Sequence, residues 1–157
     1  MFTACEITYE NINGFMRLKV REDQEGMVAD NAVTIAQSHY EPFSWLRGLM
    51  AGDEPVGLIA MIDLDPDHPK VSEHSPKNAA YLWRLMIAAE HQGKGFGKQA
   101  MSIAFDQARA WGRDQMAIHV VDDEGSAMPF YRRFGFEPTG QVDGDEMLLL
   151  GPVPQNP

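Results

Sequence analysis

Between Leu82 and Met101 the chain reads as an apolar strand, a short polar loop carrying three glycines, and the start of a helix. A glycine-rich loop that opens a helix is an anion site. The first N–H groups of a helix have no partner inside it, and the macrodipole adds positive potential there. Glycine lets the backbone approach an anion closely and adopt positive φ. Lys94 precedes the helix and Lys98 falls in its first turn, where a cation is unfavourable on dipole grounds. Paired lysines at that end make sense if a polyanion sits between them and the helix.

Two common phosphate loops do not fit. A dinucleotide G-x-G-x-x-G would need Gly or Ala at Lys98; a P-loop would need Gly at Gln92 and Ser or Thr at Gln99. What fits is Q-x-x-G-x-G over Gln92 to Gly97, directly after a strand. This resembles the pyrophosphate loop of the GNAT family of N-acetyltransferases, which bind acetyl-CoA. The resemblance implies cofactor contacts from Gln92, Gly93, Lys94, Gly95, Phe96, Gly97 and Lys98, with no metal.

A second stretch, Ser126-Ala127-Met128-Pro129-Phe130-Tyr131-Arg132-Arg133-Phe134-Gly135-Phe136, is similar to the family pattern N-x-x-A-x-x-x-Y-x-x-x-G-F. Alone, Tyr131 reads as a core aromatic beside Phe130 and Phe134. The family pattern puts its hydroxyl near the CoA sulfur as general acid for the departing thiolate, which a phenol can serve. Glu124 stands where the family often has an asparagine that bonds the cofactor arm. The reaction implied is direct acyl transfer from thioester to neutral amine. Backbone groups of Met86, Ile87 and Ala88, ending the central strand, would bond the cofactor arm or the thioester oxygen. No Ser-His-Asp or Cys-His set is evident. Neither is a general base. The central strand offers only Arg84; His119 on the next strand is a candidate, weighed against a satisfied core histidine, and a water chain to a surface carboxylate is the default.

Leu18 to Val20, Met27 to Asn31 and Thr34 to Gln37 resemble the N-terminal region of bacterial spermine/spermidine (diamine) acetyltransferases. So do Tyr81 to Ile87, Gln92 to Lys98 and Phe130 to Phe136. The acceptor implied is a small-molecule amine of polyamine type, with Glu22 and Glu25 of an acidic connector on the substrate side. Arg84 opposes a polycation unless a carboxylate neutralises it, and an ion pair with one of those acids is expected. Amino sugars, amino acids and protein N-termini are the other acceptors, and a non-catalytic acetyl-CoA-binding module is the alternative class.

The net charge of −10 argues against nucleic acid or an anionic membrane as partner and would concentrate a cationic substrate. No apolar run approaches the ~20 residues of a membrane span. The first residues carry neither a basic start nor an apolar run, so no signal peptide is expected. With Cys5 the sole cysteine, a cytoplasmic location fits. A homodimer is left open. Asp63 to His68 lacks the glycine and glutamate of a calcium loop, and His68 and His74 read as parts of a solvated loop.

The 157 residues suit one domain, 1–151, with a tail at 152–157 and fraying from Gly151. Strands are expected at Thr3–Tyr9, Ser44–Met50, Val56–Leu64, Ala80–Ile87, Met116–Val121, Phe136–Val142 and Glu146–Leu150. Helices are expected at Ile12–Val20, Met27–His39, from the glycine loop to Trp111, and from a Ser126 cap to Gly135. The fold class is therefore α/β (α+β): a mixed, mostly antiparallel twisted sheet of about seven strands flanked by about four helices, as in GNAT proteins. The helix after the central strand makes the next strand run parallel to it.

Overall fold

A computed structural model describes residues 1–65, 67–123 and 125–155. Seven strands form one sheet: β1 (Phe2–Cys5), β2 (Ser44–Ala51), β3 (Glu54–Asp63), β4 (Ala79–Ile87), β5 (Gln115–Val121), β6 (Glu137–Asp143) and β7 (Glu146–Pro152), in the order β1-β2-β3-β4-β5-β7-β6. Four α-helices accompany them: α1 (Ile12–Met16), α2 (Asn31–Ser38), α3 (Phe96–Ala110) and α4 (Met128–Arg132). Every strand pair is antiparallel except β4–β5, as the crossover helix requires.

The sheet separates two cores. On one face Ala100, Met101, Ala104 and Phe105 of α3 pack on Ile59, Met61, Leu82 and Ile118. Their spacing by three and four gives α3 one apolar stripe. On the other face Phe15 and Ile35, from α1 and α2, pack on Leu58 and Met86.

The N-terminal third departs from the expected boundaries. β1 stops at Cys5 because Asn11 reaches back: its Oδ1 accepts the Thr8 N–H at 2.7 Å and its Nδ2 donates to Glu6 O at 2.8 Å. α1 ends at Met16, and Leu18 and Val20 pack on the Phe15 core beyond the helix. A short 3-10 turn, Glu22–Gln24, occupies the acidic connector. α2 begins only at Asn31, so Met27, Val28 and Ala29 are not helical. Ser126 does not occupy the N-cap of α4; Ala127 does, and the Ser126 hydroxyl accepts the Met128 N–H at 3.1 Å. At the other end β7 continues through Pro152. Val153 is buried and its N–H bonds Asp114 O at 2.9 Å, so no fraying begins at Gly151. His68 is also not solvated: it is buried and its Nε2 lies 2.8 Å from Glu41 Oε1.

Candidate active site

Register explains the site. β4 pairs with β3 through Met86↔Leu58, Arg84↔Ala60 and Tyr81↔Ile62, and with the intervening Leu82↔Met61 this leaves Trp83 as an extra residue, a bulge. Leu58, Ala60 and Ile62 alternate along β3, so their partners share one face, that of α1 and α2. Without the bulge, Tyr81 and Arg84 would point to opposite faces.

β4 and β5 are hydrogen-bonded only at Ala79↔Gln115, Ala80↔Met116 and Tyr81↔Ala117. Beyond Tyr81 they diverge, and a cleft of about 440 Å³ opens between them. Leu85, Ile87, Ile118 and Tyr131 line it from the α3 side. Tyr81, Arg84, His119 and Glu146 line it as well, with Gln24 and Gly26 to Ala29 of the connector.

At the glycine loop, Gly93 and Gly95 have φ of +77° and +83°, and a Cβ on either would meet nothing within 4 Å. Among the described residues, no backbone carbonyl accepts the N–H groups of Gly93 to Lys98; Gln99 is the first to bond back, to Gly95 O at 3.3 Å. Lys94 and Lys98 are exposed and have no ion pair among the described residues. Free amides, open glycine flanks and two unpaired cations fit a pyrophosphate group. The Phe96 side chain turns away and stacks on Phe2, ring centroids 5.3 Å apart. Gly97 has a packing reason: a Cβ there would sit 3.3 Å from the Phe130 ring of α4. Gln92 is a brace, donating to Ile87 O at 2.9 Å and Gln24 Oε1 at 2.8 Å and accepting from Arg21 at 2.6 Å. It ties the loop, the end of β4 and the connector together.

At the end of β4, the Ala88 N–H is taken by Val56 O at 2.9 Å. Amides alternate in direction along a strand, so that of Ile87 turns toward the side from which β5 has diverged. Tyr131 is 5% exposed and lies edge-on to Phe130 and Phe136 at 5.0 and 5.7 Å. Burial pushes its hydroxyl well above the ordinary tyrosine range, and no described residue hydrogen-bonds it. Glu124 lies outside the described residues.

Arg84 does not pair with the acidic connector. Its guanidinium lies over the Trp83 ring at 4.9 Å, Nη2 donates to Gln37 Oε1 at 3.3 Å, and its buried Nε has no acceptor. Glu25 lines an adjoining hollow of about 270 Å³ beside Lys19 and Asp30, while Glu22 is exposed outside both linings. His119 is not a core histidine closed off from solvent. It is half-buried at the cleft, with Nδ1 2.6 Å from the Tyr81 hydroxyl. Tyr81 and Glu146 carry no motif. The signal that finds them is topological: parallel β4–β5 pairing puts Tyr81 and His119 on neighbouring strands and one face.

The Acetyltransferase (GNAT) family matches residues 8–136. The chain belongs to the GNAT family. It is thus an acetyltransferase with acetyl-CoA as donor. Among curated proteins it is 25% identical to the spermine/spermidine N(1)-acetyltransferase of Bacillus subtilis (strain 168), over 91% of this chain and 93% of that one. Among solved structures, spermidine N-acetyltransferase from Vibrio cholerae in complex with CoA and spermine matches with TM-score 0.70 and 18% identity, covering 97% and 95% of the two chains. The PaiA N-acetyltransferase of Thermoplasma acidophilum in complex with coenzyme A matches with TM-score 0.67 and 16% identity, covering 97% and 99%. Among the described residues no helix is long and apolar enough to cross a membrane.

Proposed function

We propose that this acetyltransferase moves the acetyl group directly from acetyl-CoA to a small primary amine, both held in the cleft between β4 and β5. The observation that carries this reading is the cleft itself, where β4 and β5 part and residues from both faces of the sheet form one lining. The free amides of Gly93 to Lys98, with Lys94 and Lys98, would hold the pyrophosphate. The Ile87 amide would meet the cofactor arm or the thioester oxygen. The Tyr131 hydroxyl, protonated and without a hydrogen-bond partner among the described residues, would donate to the departing thiolate. Initial rates with both substrates varied test direct transfer: intersecting lines are expected, and parallel lines would indicate a covalent acetyl-enzyme.

For the acceptor we favour a polyamine. Supporting it are the relatives named for spermine and spermidine, Glu146 in the cleft lining, Glu25 in the adjoining hollow and the net charge of −10. One observation favours a second acceptor class. Arg84 stands in the cleft without an ion pair among the described residues and with an N–H unmatched, which suits an amine that also carries a carboxylate. Thiol release against spermidine, spermine, amino acids, amino sugars and N-terminal peptides separates the two. Fast spermidine turnover supports the first, and inert polyamines beside a reactive amino acid would replace it with the second.

A further inference from the structure

The amine enters as an ammonium ion and must lose a proton before it attacks. No carboxylate on β4 is available to take it. Tyr81 and His119 are. They start from adjacent parallel strands, with Tyr81 opposite Ala117 and His119 two residues further along the same face. The Tyr81 hydroxyl is 2.6 Å from His119 Nδ1, their rings meet edge-on, and both line the cleft that Tyr131 reaches.

Resting on the amine N-acetyltransferase reading above, we propose that Tyr81 and His119 are the proton relay that deprotonates the acceptor amine. Tyr81 is the catalytic residue that touches the amine, and His119 is the proton acceptor behind it. In the step, an amine N–H bond breaks and its proton bonds to Tyr81 Oη. The tyrosine's own O–H proton passes to His119 Nδ1. The neutral amine keeps the electron pair and attacks the thioester carbonyl. As the C–S bond breaks, the thiolate takes the Tyr131 proton, and the second amine proton, lost as the amide forms, restores Tyr131. Once the product leaves, the imidazolium gives its Nδ1 proton back through Tyr81 to water in the cleft, which restores the Nε2–H tautomer for the next turnover.

The direction of the relay follows from the surroundings. Burial first, then Glu146 and Asp143, push the Tyr81 hydroxyl up to about 12, against the lowering effect of Arg84. Tyr81 therefore keeps its proton at neutral pH and has one to give, and the relay requires that His119 Nδ1 accept it with the ring hydrogen on Nε2. The charged groups facing the pair are Arg84 from β4, Glu146 from β7 and Asp143 from β6. The two carboxylates offset the charge that the imidazole acquires.

The experiment compares Tyr81→Phe, His119→Gln and the double variant over a pH series at saturating acetyl-CoA. Each single variant should lose about 10²–10⁴-fold in kcat with unchanged acetyl-CoA affinity. The double variant should be no worse than the poorer single, because the two act as a unit. The deficit should shrink as pH rises, since alkali supplies the free amine without a relay. Wild-type kcat in both single variants, or a loss equal at every pH, would overturn the proposal. Thermal melts identify a variant that does not fold, and the other single variant then carries the test. Where no amine reacts, which would sink the functional reading instead, ¹⁵N-histidine NMR of the free protein still decides. Hydrogen on Nε2 of His119, perturbed by Tyr81→Phe, is expected; hydrogen on Nδ1 would exclude the relay whatever the activity.

Discussion

Tyr131→Phe separates chemistry from packing at the centre of the cleft. The phenylalanine keeps the ring and its edge-on contacts with Phe130 and Phe136, and deletes one oxygen. That oxygen has no hydrogen-bond partner among the described residues, so folding should lose no bond. The expected change in unfolding free energy is below about 1 kcal/mol, with neutral or stabilising sign. The kinetic effect should be larger. Burial holds the hydroxyl protonated well past neutral pH, which suits a donor that acts only when negative charge develops on sulfur. General acid catalysis is worth roughly 10²–10⁴-fold, or about 3–5 kcal/mol of barrier. The loss should fall on kcat, with acetyl-CoA affinity by calorimetry unchanged, because the interaction exists only in the transition state. Thiol-release kinetics and thermal melts on the same preparation read both numbers. A fully active Tyr131→Phe enzyme would refute the reasoning and leave the residue a wall of the core.

Gly97→Asp should weaken acetyl-CoA binding at least about ten-fold by calorimetry, since it sets a carboxylate among the free amides and a Cβ 3.3 Å from the Phe130 ring. Gly48→Ala should destabilise by about 1–3 kcal/mol in urea titrations, because its Cβ would fall 2.2 Å from Cζ of the fully buried Phe15. Above about pH 10 the protein should lose stability: Tyr81 ionises near 10 unfolded but at about 12 folded, so its stabilisation is complete below the first value and is lost as pH rises through the second. That amounts to about 2–3 kcal/mol, and urea midpoints that stay flat across this window would remove it. Spermidine turnover at subsaturating concentration should fall with added salt if the acidic surface steers the substrate; salt-independent rates would exclude steering.

The glycine loop, the α3 stripe and the parallel step from β4 to β5 were legible because each rests on local chemistry: positive-φ glycines, spacing by three and four, a crossover helix. The N-terminal third was less so. Val28, Ala32, Ile35 and Ala36 have helical spacing, yet the helix begins at Asn31, whose side chain donates to Phe15 O at 2.8 Å. Met27, Val28 and Ala29 are spent on the cleft wall instead. Arg84 was misjudged for a different reason. An ion pair with the connector is sensible for a half-buried cation, but α2 presents Gln37 to it and Trp83 supplies a π face. The Tyr81–His119 contact joins residues 38 positions apart and depends on pairing register, which no single window of sequence contains.

The bulge at Trp83 has a consequence for how one sheet can serve two substrates. Side chains alternate along a strand, so a regular β4 would send Tyr81 and Arg84 to opposite faces. The extra residue puts Tyr81, Arg84 and Met86 on the α1–α2 face while Leu82, Leu85 and Ile87 serve the α3 core. Divergence from β5 then opens the sheet just past Tyr81. A proton acceptor can approach that gap from one face and a proton donor on α4 from the other, without either crossing the packed core. Direct transfer through the proposed relay uses such an arrangement, since the ammonium would lose its first proton on one side of the carbonyl while the thiolate gains one on the other. A one-residue deletion at Trp83 would restore regular pleating and turn either Tyr81 or Arg84 and Met86 to the wrong face. Activity should then be lost even though every residue named in the chemistry is still present, which makes the register of β4 as much a part of the site as Tyr131.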